Sequence, residues 1–162
     1  MSKNTLNEVV KLIVSILICQ FAGFIGSLFT PPAIPKWYTF LIKPPFTPPN
    51  WVFAPVWTTL FVLMGVSVYL VWSKGLSDKK VKTSLFIFGI QLVLNALWSL
   101  LFFGWRCPVC GFVEIIILWI AITLTILGFF RVSKMAGILL LPYWLWVSFA
   151  AVLNFSIWRL NP

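Results

Sequence analysis

The sequence has no histidine and only three acidic residues among 162. Without an imidazole there is no His ligand for zinc or haem iron, and no His base for a catalytic triad. The acids are Glu8, Asp78 and Glu114. Glu114 is expected across the membrane from the other two, which excludes paired general acid–base chemistry. Charged residues make up 9% of the chain, against roughly a quarter in a soluble domain, so there is too little polar surface to face water all round. Cysteine is scarce too: Cys19, Cys107 and Cys110. Cys107-Pro108-Val109-Cys110 spells C-x-x-C, a spacing found in redox sites and in half of a zinc site. No second pair completes four ligands and no βαβ pattern surrounds it, so the plain reading is small residues at a helix start.

What is abundant is apolar residue, 61% of the chain. Five runs of about 20 residues, near 9–30, 51–73, 83–105, 109–130 and 135–158, are each long enough to cross a hydrocarbon core. The expected fold is an all-α membrane protein: one domain over 1–162, a five-transmembrane-helix bundle with a long Pro-rich loop between helices 1 and 2. The first run lacks a short apolar core ending in an A-x-A-like site, so it is expected to be a retained helix rather than a signal peptide. The links 74–82, 106–108 and 131–134 are short, which predicts successive spans running antiparallel and side by side.

The formal charge is +9, but the basic residues sit between apolar runs. They make no basic face and belong to no nucleic-acid module, so they read as topology signals and contacts to the lipid bilayer, with no nucleic-acid partner. With five spans, Lys3, Lys11, Lys74, Lys79, Lys80, Lys82, Arg131 and Lys134 share one side, and Lys36, Lys43, Arg106 and Arg159 the other. The positive-inside rule then puts the amino terminus in the cytoplasm, with loop 31–50 and the carboxyl terminus outside.

Seven of the eleven prolines, Pro31, Pro32, Pro35, Pro44, Pro45, Pro48 and Pro49, lie between the first two spans. Proline fixes φ and lacks an N–H, so this segment is expected to form neither an exposed helix nor a sheet edge. It suits a stiff lid over a bundle mouth, with little entropy left to lose on binding. Trp37, Tyr38, Phe40, Phe46 and Trp51 either mark the water–lipid interface or pack beneath the lid.

Polar side chains inside a span need a reason. Gln91, Asn95, Trp98 and Phe102 fall at i, i+4, i+7 and i+11 on one helical face. Asn95, near mid-membrane, either joins helices by hydrogen bonds or lines a site. Pro142, Tyr143, Trp146, Ala150 and Asn154 share a second stripe, where small Ala150 leaves room beside Trp146. Trp57 lies two turns into its span, on the lid side. Glu114 is expected to neutralise Arg106 or an outer lysine, or to reach the interface. Ala22 and Gly26, with Gly23 and Ser27, form small-xxx-small pairs that suit close helix approach and a homodimer. These features add up to an aromatic, weakly polar cavity for a large, flat, mostly apolar ligand.

Several long stretches, in order, carry a resemblance over nearly the whole chain. They are Trp37-Tyr38 with Lys43-Pro44-Pro45-Phe46-Thr47-Pro48-Pro49, then Trp51 and Pro55-Val56-Trp57. Gln91-Leu92-Val93-Leu94-Asn95-Ala96-Leu97-Trp98 and Phe102-Phe103-Gly104 follow. Leu141-Pro142-Tyr143-Trp144-Leu145-Trp146 and Ala150-Ala151-Val152-Leu153-Asn154-Phe155-Ser156-Ile157-Trp158-Arg159 complete the set. Together they resemble the TspO/MBR family (translocator protein, tryptophan-rich sensory protein, peripheral-type benzodiazepine receptor).

The resemblance implies a five-helix membrane protein, usually a homodimer, that binds protoporphyrin IX or related tetrapyrroles, and in animals cholesterol and synthetic ligands. No cofactor is obligatory and no metal site is expected; the missing histidine favours metal-free porphyrin or a loosely held metalloporphyrin. Carried over residue by residue, Trp57, Asn95, Trp98, Trp146, Ala150 and Leu153 form the pocket wall, with Trp37, Phe46, Trp51, Gln91 and Tyr143 as further ligand-binding candidates. Trp57 and Trp146 match tryptophans linked, in some bacterial members, to light-dependent porphyrin breakdown. The implied function is a tetrapyrrole-binding sensor or regulator; the alternatives are a light- and oxygen-dependent porphyrin-degrading enzyme and a porphyrin or lipid transporter. Phe46 stands where many members have Trp, which removes an N–H donor. Phe155 replaces the tyrosine of the animal sterol motif, so cholesterol transport is not implied.

Overall fold

The computed structural model describes residues 3–162, with side chains from Thr5 onward, so the side chain of Lys3 lies outside it. The described residues form helices and no strands. The long helices are α1 (Lys3–Ser27), α3 (Asn50–Trp72), α4 (Lys79–Ser99), α5 (Pro108–Val132) and α7 (Leu141–Leu160). The short ones are α2 (Thr30–Ala33) and α6 (Lys134–Leu139). With the short pieces that extend three of them, they give five segments long and apolar enough to cross a membrane: Thr5–Ala33, Asn50–Trp72, Lys79–Gly104, Pro108–Val132 and Lys134–Leu160.

Local chemistry sets the helix starts. The Asp78 side chain accepts the Lys80 N–H at 2.8 Å, capping α4. Cys107 and Ser133 cap α5 and α6 through Sγ and Oγ. Pro108 and Pro142 stand in first turns, where a missing N–H costs nothing. The same rule corrects the expectation of a long Pro-rich loop. Pro31 and Pro32 stand in the first turn of α2, and Tyr38–Phe40 makes a 3₁₀ turn, so the irregular part shrinks to the turn 34–37 and the segment 41–49. At its far end α4 widens into a π turn, Leu100–Gly104, closed by the Trp105 N–H on the Leu100 carbonyl at 2.8 Å. Arg106, at φ 55°, then turns the chain back into α5.

Sequence neighbours are not always the main packing partners. α4 lies on α5 and α5 on α7, as short links predict, but α3 packs chiefly on α1 and meets α4 at only a few residues. Gly65 permits the α1–α3 contact: a Cβ there would lie 2.5 Å from the Ile16 Cα. Three small residues expected to serve a dimer pack inside the chain. Gly26 abuts the Ser99 hydroxyl of α4, Gly23 abuts the Phe61 ring of α3, and Ala22 is buried. Their close approach is within one chain.

The core joins all five spans through residues such as Cys19, Met64, Val71, Phe88, Ile122, Phe129 and Val147. Phe88 stacks on Phe129 at 5.7 Å. Ser67 Oγ donates to the Ala136 carbonyl at 2.7 Å, tying α3 to α6. A second cluster, Tyr38, Phe102, Leu153 and Ile157, seals the other end beneath the proline-rich segment.

Candidate functional site

Between that seal and the core the helices stand apart around a cavity of about 450 Å³. It separates the facing parts of α3 and α4, which is why those sequence neighbours touch so little. On α3, Phe53, Trp57 and Phe61 recur every fourth residue and so share one face. From α4 come Asn95, Trp98, Ser99 and Phe102, and from α7 Trp146, Ala150, Leu153 and Asn154. α1 contributes Gln20 and Gly23, and Ile34 and Tyr38 reach in from the outer connection. No lining residue among those described carries a formal charge.

The aromatic walls are fixed by their neighbours. Trp57 stacks on Phe61 at 5.6 Å and meets Tyr143 edge-on at 6.2 Å. Trp98 stacks on Phe102 at 5.1 Å. Trp146 meets Phe53 edge-on at 6.0 Å. Ala150 adds only a methyl between these rings, so the space a large side chain would fill stays open.

Behind the wall runs a polar network. Asn95 Nδ2 donates to the Tyr143 hydroxyl at 2.9 Å, and that hydroxyl donates to Gln91 Oε1 at 2.9 Å. Trp98 Nε1 donates to Asn154 Oδ1 at 3.1 Å, while Asn154 Nδ2 donates to the Pro108 carbonyl at 2.8 Å. Such bonds replace water that the bilayer does not supply. Three groups stay outside the network: Gln91 Nε2, the Trp146 indole N–H and both Glu114 oxygens are buried with no protein partner. Glu114 is 4% exposed and faces the interior, so it neither pairs with exposed Arg106 nor reaches the interface.

The segment 41–49, none of whose residues lines the cavity, is tied to the end of α7 by Asn161. Its side chain accepts the Ile42 N–H at 3.0 Å and donates to the Ile42 carbonyl at 2.9 Å, copying a strand pair between the segment and the end of α7. Pro44 is buried. Lys43 Nζ sits 4.6 Å from the centre of the Tyr38 ring. Burial pushes the Tyr38 hydroxyl above its ordinary range, so it stays neutral.

The expected site residues therefore divide. Trp57, Asn95, Trp98, Trp146, Ala150 and Leu153 line one cavity. Gln91 and Tyr143 stand behind it as supports. Trp37 packs edge-on to Phe102 at 5.5 Å, and Phe46 lies against Phe149 at 6.3 Å. Trp51 and Phe40 point away, 74% and 79% exposed, where an interfacial ring would stand. Sequence reasoning missed Phe53, Phe61 and Gly23. The first two were visible in the four-residue spacing with Trp57; Gly23 gave no signal beyond its size. Among the described residues no three His, Cys, Asp or Glu side chains come together as metal ligands. Cys107 and Cys110 are not simply small residues at a helix start, for they are joined in a disulfide.

Known proteins share this sequence along almost its whole length. A tryptophan-rich protein TspO of Chlorobaculum tepidum is 48% identical, over 96% of this chain and 98% of the relative. A protein of the same name from Archaeoglobus fulgidus is also 48% identical, over 95% and 99%. The translocator protein of Homo sapiens is 39% identical, over 85% and 82%. The family model described as the TspO/MBR family matches residues 15–159, so this integral, multi-pass membrane protein, with its tryptophan-walled cavity, belongs to the TspO/MBR family.

Proposed function

We propose that the protein binds a tetrapyrrole, protoporphyrin IX or a close relative, and acts as a membrane sensor or regulator of that ligand. The observation that carries this reading is the uncharged cavity of about 450 Å³ walled by Trp57, Trp98 and Trp146. Its size lies within the roughly 300–1,000 Å³ of small-molecule pockets. Flat indole walls suit a flat macrocycle. The ionised propionates of a protoporphyrin would stay at the mouth, on the side where Lys43 stands. The Trp146 N–H, lacking a protein partner, is a donor for a ligand acceptor after a small ring movement.

A second reading has its own support. Trp57 and Trp146 both line the cavity, where an indole beside a photoexcited ring is an electron donor or a target of reactive oxygen. Illuminating the purified protein with protoporphyrin IX in air separates the two. A shifted but persistent porphyrin spectrum supports binding alone; its conversion to a new chromophore supports the enzyme. An unchanged spectrum, in light and dark, removes both. Transport is less favoured, because the cavity lies in one half of the bundle and the other half is closed by side chains such as Met64, Phe129 and Ala136, each 0% exposed.

We place the amino terminus in the cytoplasm and the proline-rich segment outside, from the eight-to-four division of basic residues. Labelling of a single new cysteine beside Lys79 by an impermeant reagent added outside would reverse that orientation. The homodimer implied by the resemblance is tested by crosslinking in native membranes; a monomer there removes it.

A further inference from the structure

The C-x-x-C pair takes no part in the function proposed above, yet it sits at one end of a chain of contacts that reaches the cavity. Cys107 caps α5, its Sγ accepting the Cys110 N–H at 3.3 Å. Both cysteines are half-buried, within reach of a reagent from the loop end of the bundle. The unpaired N–H groups of a helix start favour negative charge, so a sulfur released at Cys107 is a good leaving group. Exposed Arg106 precedes it and adds to the effect.

The turn between the two sulfurs is bonded directly to the cavity wall. The Pro108 carbonyl, inside the C-x-x-C turn, accepts from Asn154 Nδ2 at 2.8 Å, and Asn154 Oδ1 accepts from the Trp98 indole at 3.1 Å. There is no slack behind that link. Gly111, one residue beyond the pair, lies so close that a Cβ would be 2.9 Å from Asn154 Oδ1 and 2.9 Å from the Phe102 ring. Phe102 is in turn stacked on Trp98. When the disulfide opens, its sulfurs must part from bonding to van der Waals distance. The turn carrying the Pro108 carbonyl has to absorb the change, and packed interiors shift between arrangements rather than stretch.

We propose that Cys107 and Cys110 form a reversible thiol–disulfide site whose redox state sets the position of Asn154 and Trp98 in the cavity wall. The co-reactant is a thiol, either a small molecule or a protein dithiol. Its thiolate attacks Cys110 Sγ, the S–S bond breaks, and the electron pair leaves on Cys107 Sγ, which takes up a proton. A second thiolate then attacks the external sulfur of the mixed disulfide and releases Cys110, which is protonated in turn. Two external thiols become one disulfide, and the protein disulfide becomes two thiols.

The experiment uses the full chain in lipid nanodiscs, in a Cys19→Ala background, titrated with dithiothreitol. Maleimide labelling counts thiols, and the indole N–H resonance of Trp98, assigned with Trp98→Phe, reports on the wall. Two thiols should appear together in the folded protein, and the Trp98 resonance should move with the same midpoint and return on reoxidation. An Asn154→Ala variant should keep the thiol titration and lose the resonance change. No thiols under excess dithiothreitol would mean an inert crosslink, and a stationary resonance on full reduction would mean no coupling; either overturns the proposal. Neither readout uses porphyrin, so a protein that bound none would still report on this site.

Discussion

In the half of the bundle near Lys79 and Arg131, Phe88 stacks on Phe129 and Met64, Val71, Phe129 and Ala136 are wholly buried. In the half near Arg106, Trp57, Trp98 and Trp146 are as large and as apolar, but they stand around an opening of about 450 Å³. Ser67 and Thr125 of the first half bond to backbone carbonyls. In the second, side-chain pairs join α4 to α7, Asn154 also donates to the Pro108 carbonyl of α5, and the Trp146 N–H has no protein partner. The difference is one of volume at a few positions rather than of composition: Ala150 stands where bulk would close the space. Walls that face such an opening forgo dispersion contacts, which a ligand filling it would recover.

Opposite changes of volume should break this comparison most severely. Phe129→Ala opens a hole in the closed half; the loss should be about 3 kcal/mol of stability, the low end for such a change because lipid weakens the transfer contribution. Thermal unfolding in micelles measures it. Ala150→Phe should leave stability nearly unchanged, since it fills existing space, but lower protoporphyrin affinity about tenfold or more. Trp57→Leu and Trp146→Leu remove stacking worth about 0.5–1.5 kcal/mol, a loss of about two- to tenfold in affinity. Any photochemical conversion should fall further than affinity in these two variants. Asn161→Ala has the smallest expected effect. It frees the segment at Ile42, and with two exposed hydrogen bonds lost the affinity should drop only a few-fold, visible mainly as faster dissociation in stopped-flow fluorescence.

The five spans were legible because about 20 apolar residues in a row have few alternatives. The pocket stripes on α4 and α7 were legible because polar and aromatic residues at helical spacing stand out in an apolar run. The connection was misread where local rules compete: proline forbids a helix interior but favours a first turn, and Pro31 and Pro32 obey the second rule. The glycines of α1 gave a sound signal of close approach and no indication of the partner, which is Phe61 and Ser99 of the same chain. The π turn at Leu100–Gly104 and the Asn161–Ile42 pairing had no sequence signature, since both depend on residues brought together only by the finished bundle. Glu114 was read from its chain position near Arg106, but helix phase, not sequence distance, decides which way a side chain faces.

The loop-end cavity is the proposed binding site, and the closed half is not. Fluorescence titration of protoporphyrin IX into wild type, Ala150→Phe and Phe129→Ala, side by side in nanodiscs at a temperature where all three are folded, tests it most directly. Binding to wild type should be saturable, with nearly the same affinity for Phe129→Ala and a loss of about tenfold or more for Ala150→Phe. Wild-type affinity in Ala150→Phe would contradict it.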